Sequence, residues 1–420
     1  MDQSSKISPE SVNSDIGEIQ PTQSTRSCVC IRSKWMWIIF TIVIIASITI
    51  PTAILLTKKK NVVKTNLTPI TMTTGKRSTA LILTTIKSST ITKNPSTTTT
   101  TEPESMTTEA GCTWSKTATT IFGSQDGKSG SNLSLLNTPI GMYYDEPNNM
   151  LTVAEYGNKR ILQFSLNDLS SVGTVIAGGN GAGCNMNQFK AANGIGFDSS
   201  GQLYVADYDC SQVVRFPSNS TSTTSGTLVG NISQAALISV DPLTNDVYVV
   251  GNGNSAIYKF VNGSGSPVIA AGGNGKGNAL NKLSGPNAVY YDYLNTSSLY
   301  VADSENNRVL KFPSGSTSAT YGTLVAGGNG AGSRANQLKN PRSIVVDSNG
   351  TLYISDGDNN RIQRWLKNAN SGTTIVGVGT QGRESNQLNW PEQILFDRYQ
   401  NLLVADRHNH RIQRFNITTC

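Results

Sequence analysis

Three carboxylate pairs punctuate the C-terminal three-quarters of the chain: Asp207/Asp209, Asp303/Glu305 and Asp356/Asp358. Oxygen donors two residues apart in a turn suit calcium, and two carboxyls in unlike surroundings can divide general acid and base work. One member of each pair, like Asp406, recurs at one position of a repeat, in most copies with an Asn and an Arg downstream. There a carboxylate accepts turn amides and pairs with the Arg, so the spacing reads as structure rather than catalysis. His408 and His410 offer two imidazoles in one turn, but the chain holds only two histidines, which excludes a zinc site built on three. The GGNGAG runs at 178–183 and 327–332 lack the Lys-Ser/Thr of a phosphate-binding loop and precede no helix. Their glycines read as tight-turn residues with positive φ. With no GxSxG elbow and no Cys-His nucleophile, the sequence predicts no catalytic residue, no metal and no cofactor.

The elements that must position these side chains are repeated. LTVAEYGNKRILQF from 151, LYVADYDCSQVVRF from 203, VYVVGNGNSAIYKF from 247, LYVADSENNRVLKF from 299, LYISDGDNNRIQRW from 352 and LLVADRHNHRIQRF from 402 align without gaps. Each is an alternating apolar run, a polar turn and a second run ending in an aromatic residue, which is a β-hairpin pattern. A strand ending at Asp145, Asp198, Asp241, Asp292, Asp347 or Asp397 precedes each hairpin, and in five units a short strand and glycine loop precede that. Four strands in about 50 residues is the period of a propeller blade.

The repeated Asp, Asn, x, Arg frame resembles the NHL repeat. It stands as Asp303, Asn306, Arg308; as Asp356, Asn359, Arg361; and most literally as Asn409-His410-Arg411. Unit 1 has Glu155, Asn158 and Arg160, whereas unit 2 has Gln212 for the Arg and unit 3 has Gly251 and Ala256 for Asp and Arg. The resemblance covers about 112–420 and implies an all-β, six-bladed propeller. Ubiquitin-ligase activity of tripartite-motif relatives does not carry over, because no RING or B-box precedes the propeller. The chemistry of the peptide-amidating lyase does not carry over either, because it needs histidines that this domain lacks.

In such a propeller strand a lines the channel, strand d is outermost, and b–c turns share a face with d–a loops. The chain stops after strand c of the sixth blade, so Thr117–Ser124 is expected to supply the missing d strand and remove an open edge. That layout brings Cys112 to Cys420 on one side of one blade, and Cys184 to Cys210 on one face of another. Two such pairs fit an oxidising compartment. Arg160, Arg308, Arg361 and Arg411 fall in b–c turns and Asn180, Asn274 and Asn329 in d–a loops; they are the binding candidates on the face distal to the membrane, the arginines shared with their motif carboxylates.

The N-terminal quarter is different. Residues 1–34 form a short tail, and 35–57 hold WMWIIFTIVIIASITIPTAILL, 22 residues without a charge from Trp35 to Leu56. At about 1.5 Å per residue this crosses a membrane as a signal-anchor helix. Residues 58–110, Thr-rich and Pro-containing, read as a disordered stalk. Lysines after the span favour an inside C-terminus, while the stalk and the cysteine pairs place it outside, and the type II orientation is adopted. Cys28 and Cys30 are juxtamembrane palmitoylation candidates. Sequons stand at Asn66, Asn132, Asn219, Asn231, Asn262, Asn295, Asn349 and Asn416. Composition alone gives roughly six in 111–420 against seven seen, so their placement carries more information than their number. Positions 1–110 hold 12 basic and 7 acidic residues, whereas 111–420 hold 22 and 20. A nearly neutral propeller is not a nucleic-acid binder. The expectation is a single-pass membrane protein at the cell surface whose extracellular propeller binds a protein or glycan ligand without catalysis. The alternative is a hydrolase or lyase with a metal in the channel.

Overall fold

The computed structural model describes residues 112–169 and 172–420. The tail 1–34, the span 35–57, the stalk 58–110, Cys28, Cys30 and Asn66 therefore lie outside the described residues. Among the described residues no helix is long and apolar enough to cross a membrane.

Six four-stranded antiparallel sheets form the blades of a propeller. Blade 1 comprises Pro139–Asp145 (strand a), Met150–Glu155 (b), Arg160–Ser165 (c) and Thr174–Gly178 (d). In blades 2 to 5 the b and c strands are Leu203–Asp207 with Gln212–Phe216, Val247–Gly251 with Ala256–Phe260, Ser298–Asp303 with Arg308–Phe312, and Leu352–Asp356 with Arg361–Trp365. Blade 6 is built from both ends of the domain: Pro391–Phe396, Leu402–Asp406 and Arg411–Phe415 receive Thr119–Gly123 as strand d. The six a strands neighbour one another in a closed circuit, that of blade 6 returning to that of blade 1.

The aromatic residue ending each c strand explains how blades stack. Phe164, Phe216, Phe260, Phe312, Trp365 and Phe415 are all buried, filling the wedges between sheets where each stabilises the fold by about 1.5–3 kcal/mol relative to exposure. Every c–d pairing carries a register shift. Such bulges twist the outermost strands, which blunts their edges against pairing with other chains.

Closure goes one step beyond the sequence expectation. A second, two-stranded sheet joins Thr113–Trp114 to Ile417–Thr419. Trp114 packs between Tyr353 and Phe396 and donates its indole N–H to the Gln400 carbonyl at 2.9 Å. Just outside this pairing Cys112 and Cys420 form a disulfide with 4.1 Å between their Cα atoms.

Candidate functional site

The b–c turns carry the recurring polar frame, and its local geometry explains each residue type. In blades 4 to 6 the turn is one 3-10 turn, Ser304–Asn306, Gly357–Asn359 or Arg407–Asn409, followed by Asn307, Asn360 or His410 at positive φ. The carboxylate before the turn accepts the amide of the Asn three residues on and the guanidinium five residues on. Asp356, for example, receives Asn359 Nδ2 and Arg361 Nε, each at 2.8 Å, and the Lys339 amide at 2.7 Å. The other end of Arg361 donates to carbonyls of Ser333, Arg334 and Gln337 in the preceding d–a loop. Arg160, Arg308 and Arg411 do the same beside Glu155, Asp303 and Asp406. The frame is a brace that clamps each d–a loop onto its b–c turn. Burial pushes the carboxyls of Glu155, Asp303, Asp356 and Asp406 upward, against the pull of their arginine and amide partners.

The two departures from the frame follow from the same geometry. In blade 2, Gln212 reaches the Cys184 carbonyl only at 3.4 Å, and the Cys184–Cys210 disulfide bonds the loop to the turn instead. At the entry to blade 3, strand d of blade 2 ends at Asn231 and strand a of blade 3 starts at Ala235. No long loop remains to be clamped, and a Cβ on Gly251 would lie 2.6 Å from the Tyr258 ring.

The sequence-derived binding candidates occupy this face but are largely committed to it. Arg160, Arg308, Arg361 and Arg411 are buried and turned into their braces rather than toward solvent. Asn180, Asn274 and Asn329 are exposed, yet their amide N–H groups hold carbonyls of their own loops at Asn187, Asn281 and Asn336. The seven described sequon asparagines are exposed. Asn219, Asn262, Asn295 and Asn349 lie in a–b and c–d connections, Asn416 follows the last c strand, Asn132 lies in a d–a connection and Asn231 ends a d strand.

Beside a larger cleft between the Asn252–Ser255 turn and the loop through Lys276, this face presents the channel mouth, a cavity of about 190 Å³. Two rings line it. Residues immediately after the motif position contribute Tyr156, Tyr208, Asn252 and Arg407, and the starts of the a strands contribute Ile140, Asn193, Asn287 and Arg342. Beneath them Glu392, wholly buried, receives Arg342 Nη2 at 2.9 Å and Arg407 Nη1 at 2.6 Å. Burial alone would raise this carboxyl, but the two guanidinium groups together hold it below the ordinary carboxylate range. Tyr208 donates its hydroxyl to Asn252 Oδ1 at 3.2 Å, and Arg407 stacks over the Tyr156 ring. Of the buried polar atoms without partners among the described residues, two belong to residues lining the mouth: Asn193 Oδ1 and Arg407 Nε. Such groups cost free energy unless a ligand or water satisfies them.

Blade 5 shows the brace in full through Asp356, Asn359 and Arg361. Residues 338–365 match the NHL repeat. Sequence comparison with curated proteins finds no match. Among solved structures the chain is similar to a protein of unknown function from Bacteroides thetaiotaomicron, at 17% identity and TM-score 0.56 over 72% of this chain and 76% of that one. An auxiliary nutrient binding protein from the same organism matches at 14% identity and TM-score 0.55, over 71% and 76% of the two chains. A putative phosphatase from it matches at 12% identity and TM-score 0.56, over 74% and 79%. At such identities the likeness is one of fold. The NHL frame explains the brace, whereas the mouth residues stand where the units differ most: after the motif position come Tyr156, Tyr208, Asn252, Ser304, Gly357 and Arg407. That variation is the signal that would have pointed to them.

Proposed function

We propose that this chain is a type II membrane glycoprotein whose extracellular propeller recognises a ligand at the channel mouth without transforming it. The observation that carries the proposal is the mouth itself. Two arginines face one buried carboxylate, and unpartnered polar atoms of Asn193 and Arg407 border a cavity flanked by two half-buried tyrosines. Concave sites with a few converging polar groups on rigid strand ends are where propellers and barrels bind ligands. In this reading Glu392 anchors the two arginines, its carboxylate oxygens being held by guanidinium donors of Arg342 and Arg407. The motif carboxylates are likewise committed to braces. The anchor rests on Trp35 to Leu56, and the extracellular placement on the stalk composition together with two disulfides.

The full-length protein, displayed on cells, is screened against glycan and protein arrays. A ligand whose binding disappears in Asn193→Ala and Arg407→Gln supports the mouth as the recognition site. Ligands that bind both variants as well as wild type place recognition elsewhere on the propeller.

A further inference from the structure

We infer that the mouth selects an acidic sugar residue, a small ring bearing one carboxylate beside hydroxyl groups; this rests on the mouth being the binding site. The first argument is charge. Among the described residues Glu392 is the only carboxylate against which Arg342 and Arg407 are paired. One carboxylate cannot neutralise two guanidinium groups, so a positive charge remains. It reaches the cavity, because the Glu392 side chain is 0% exposed while those of Arg342 and Arg407 are 14% and 21% exposed. Arg407 Nε has no partner, and Arg342 spends its donors on Glu392 through Nε and Nη2, leaving Nη1 open. Of the nearby acids, Glu305 is paired with Lys276; the charge of Asp209 sits at the Tyr156 hydroxyl rather than in an ion pair with either arginine. A planar carboxylate fits the fork of a guanidinium better than any neutral group.

The second argument is independent of charge. Asn193 is 5% exposed, lines the cavity and has an unpartnered Oδ1. An unbonded amide can turn either its oxygen or its NH2 to a ligand, so a hydroxyl, which both donates and accepts, is a group that satisfies it. Tyr156 and Tyr208 add ring surface on which the C–H face of a sugar can lie. The third argument is size. At about 190 Å³ the cavity is smaller than the roughly 300–1,000 Å³ of drug-sized pockets, so it admits one terminal residue and not an extended chain.

The test is calorimetry on the full-length protein in detergent micelles with glucuronate and galacturonate, each against its neutral parent, glucose or galactose. The expected result is that an acid binds at least about tenfold tighter than its parent. Arg407→Gln should remove that preference while Arg342 still pairs Glu392 and preserves the fold, and Asn193→Ala should weaken acid and parent alike. Equal binding of acid and parent, still lost in Asn193→Ala, overturns the acid selectivity and leaves the mouth as a recognition site. Absence of binding by both acids to a folded protein overturns the sugar-acid assignment. The site itself fails separately, if ligands found on the arrays bind Asn193→Ala and Arg407→Gln undiminished.

Discussion

Arg411 Nε lies 2.8 Å from Oδ2 of Asp406, and the rest of that guanidinium donates to carbonyls of Gln125, Arg383, Glu384 and Gln387. Gln125 follows the N-terminal strand that completes blade 6, so a single side chain ties both ends of the domain to the last d–a loop. All five donors of a 1% exposed arginine are used.

Asp406→Asn should therefore be costly. It keeps the shape and removes the charge, leaving Arg411 buried without its counter-ion, a loss of about 3–5 kcal/mol. Thermal unfolding of the full-length variant should show a clearly lowered midpoint. A change of less than about 1 kcal/mol, typical of an exposed pair, would contradict the brace.

The disulfides should differ in weight. Cys112–Cys420 spans 308 residues and Cys184–Cys210 spans 26. Chain entropy assigns them roughly 5.7 and about 3.5 kcal/mol as upper figures. Replacing Cys112 and Cys420 by Ser should lower the unfolding midpoint more, and should speed amide exchange in Thr119–Gly123, whose pairing with Arg411–Phe415 then lacks its covalent anchor. Replacing Cys184 and Cys210 should loosen only the loop entering blade 2. Equal exchange at Thr119–Gly123 in both variants would show that Trp114 and Arg411 suffice for closure.

These relationships were unequally legible in the sequence. Six copies of one hairpin announce a propeller because each repeats the period-2 run and the terminal aromatic that fills the wedge between blades. The N-terminal strand could be placed because blade 6 visibly lacks one. The Trp114 strand could not, since two residues carry no periodicity. The channel mouth was missed for a physical reason: repeats expose what all units share, and shared residues such as Arg361 and Arg411 build the scaffold. Glu392, Arg342 and Arg407 occur once each in their positions and meet only when the ring closes. The same logic explains why Asn180, Asn274 and Asn329, conspicuous in the glycine loops, hold those loops in shape.

Both histidines should make the fold sensitive to mild acid. His410 Nδ1 accepts the Thr138 amide at 3.0 Å, which requires the unprotonated nitrogen, and His408 lies against Trp390. Burial, with Arg383 near His410 and Arg407 near His408, lowers both below 6.5. A lowered folded value means that the unfolded chain binds the proton first. Stability is then full above about pH 6.5 and falls as the pH drops through the folded values. The buried motif carboxylates, raised in the fold, act in the opposite sense, so the histidine contribution is read as a difference. Between pH 7.5 and 5 the midpoint of wild type should fall more than that of a His408→Gln/His410→Gln variant. Parallel curves would show that neither imidazole resists protonation.

The last prediction concerns orientation. In the proposed type II orientation residues 58–110 lead into the domain at Cys112, beside the c–d side of blade 6, so the face holding the a–b and c–d connections should look toward the membrane. Asn219, Asn262, Asn295 and Asn349 are exposed in those connections, and glycans there would fill the space between propeller and bilayer. The mouth, bordered by Tyr208 and Arg407, opens on the opposite face. An epitope placed after Cys420 should stain on intact cells, and glycosidase treatment should shift the mass of the surface protein. Changing those four asparagines to Gln should leave binding of an array-identified ligand unchanged, while Tyr208→Ala should reduce it. Staining only after permeabilisation would reverse the topology. Loss of binding with the four glutamines, but not with Tyr208→Ala, would put the recognition surface on the membrane side.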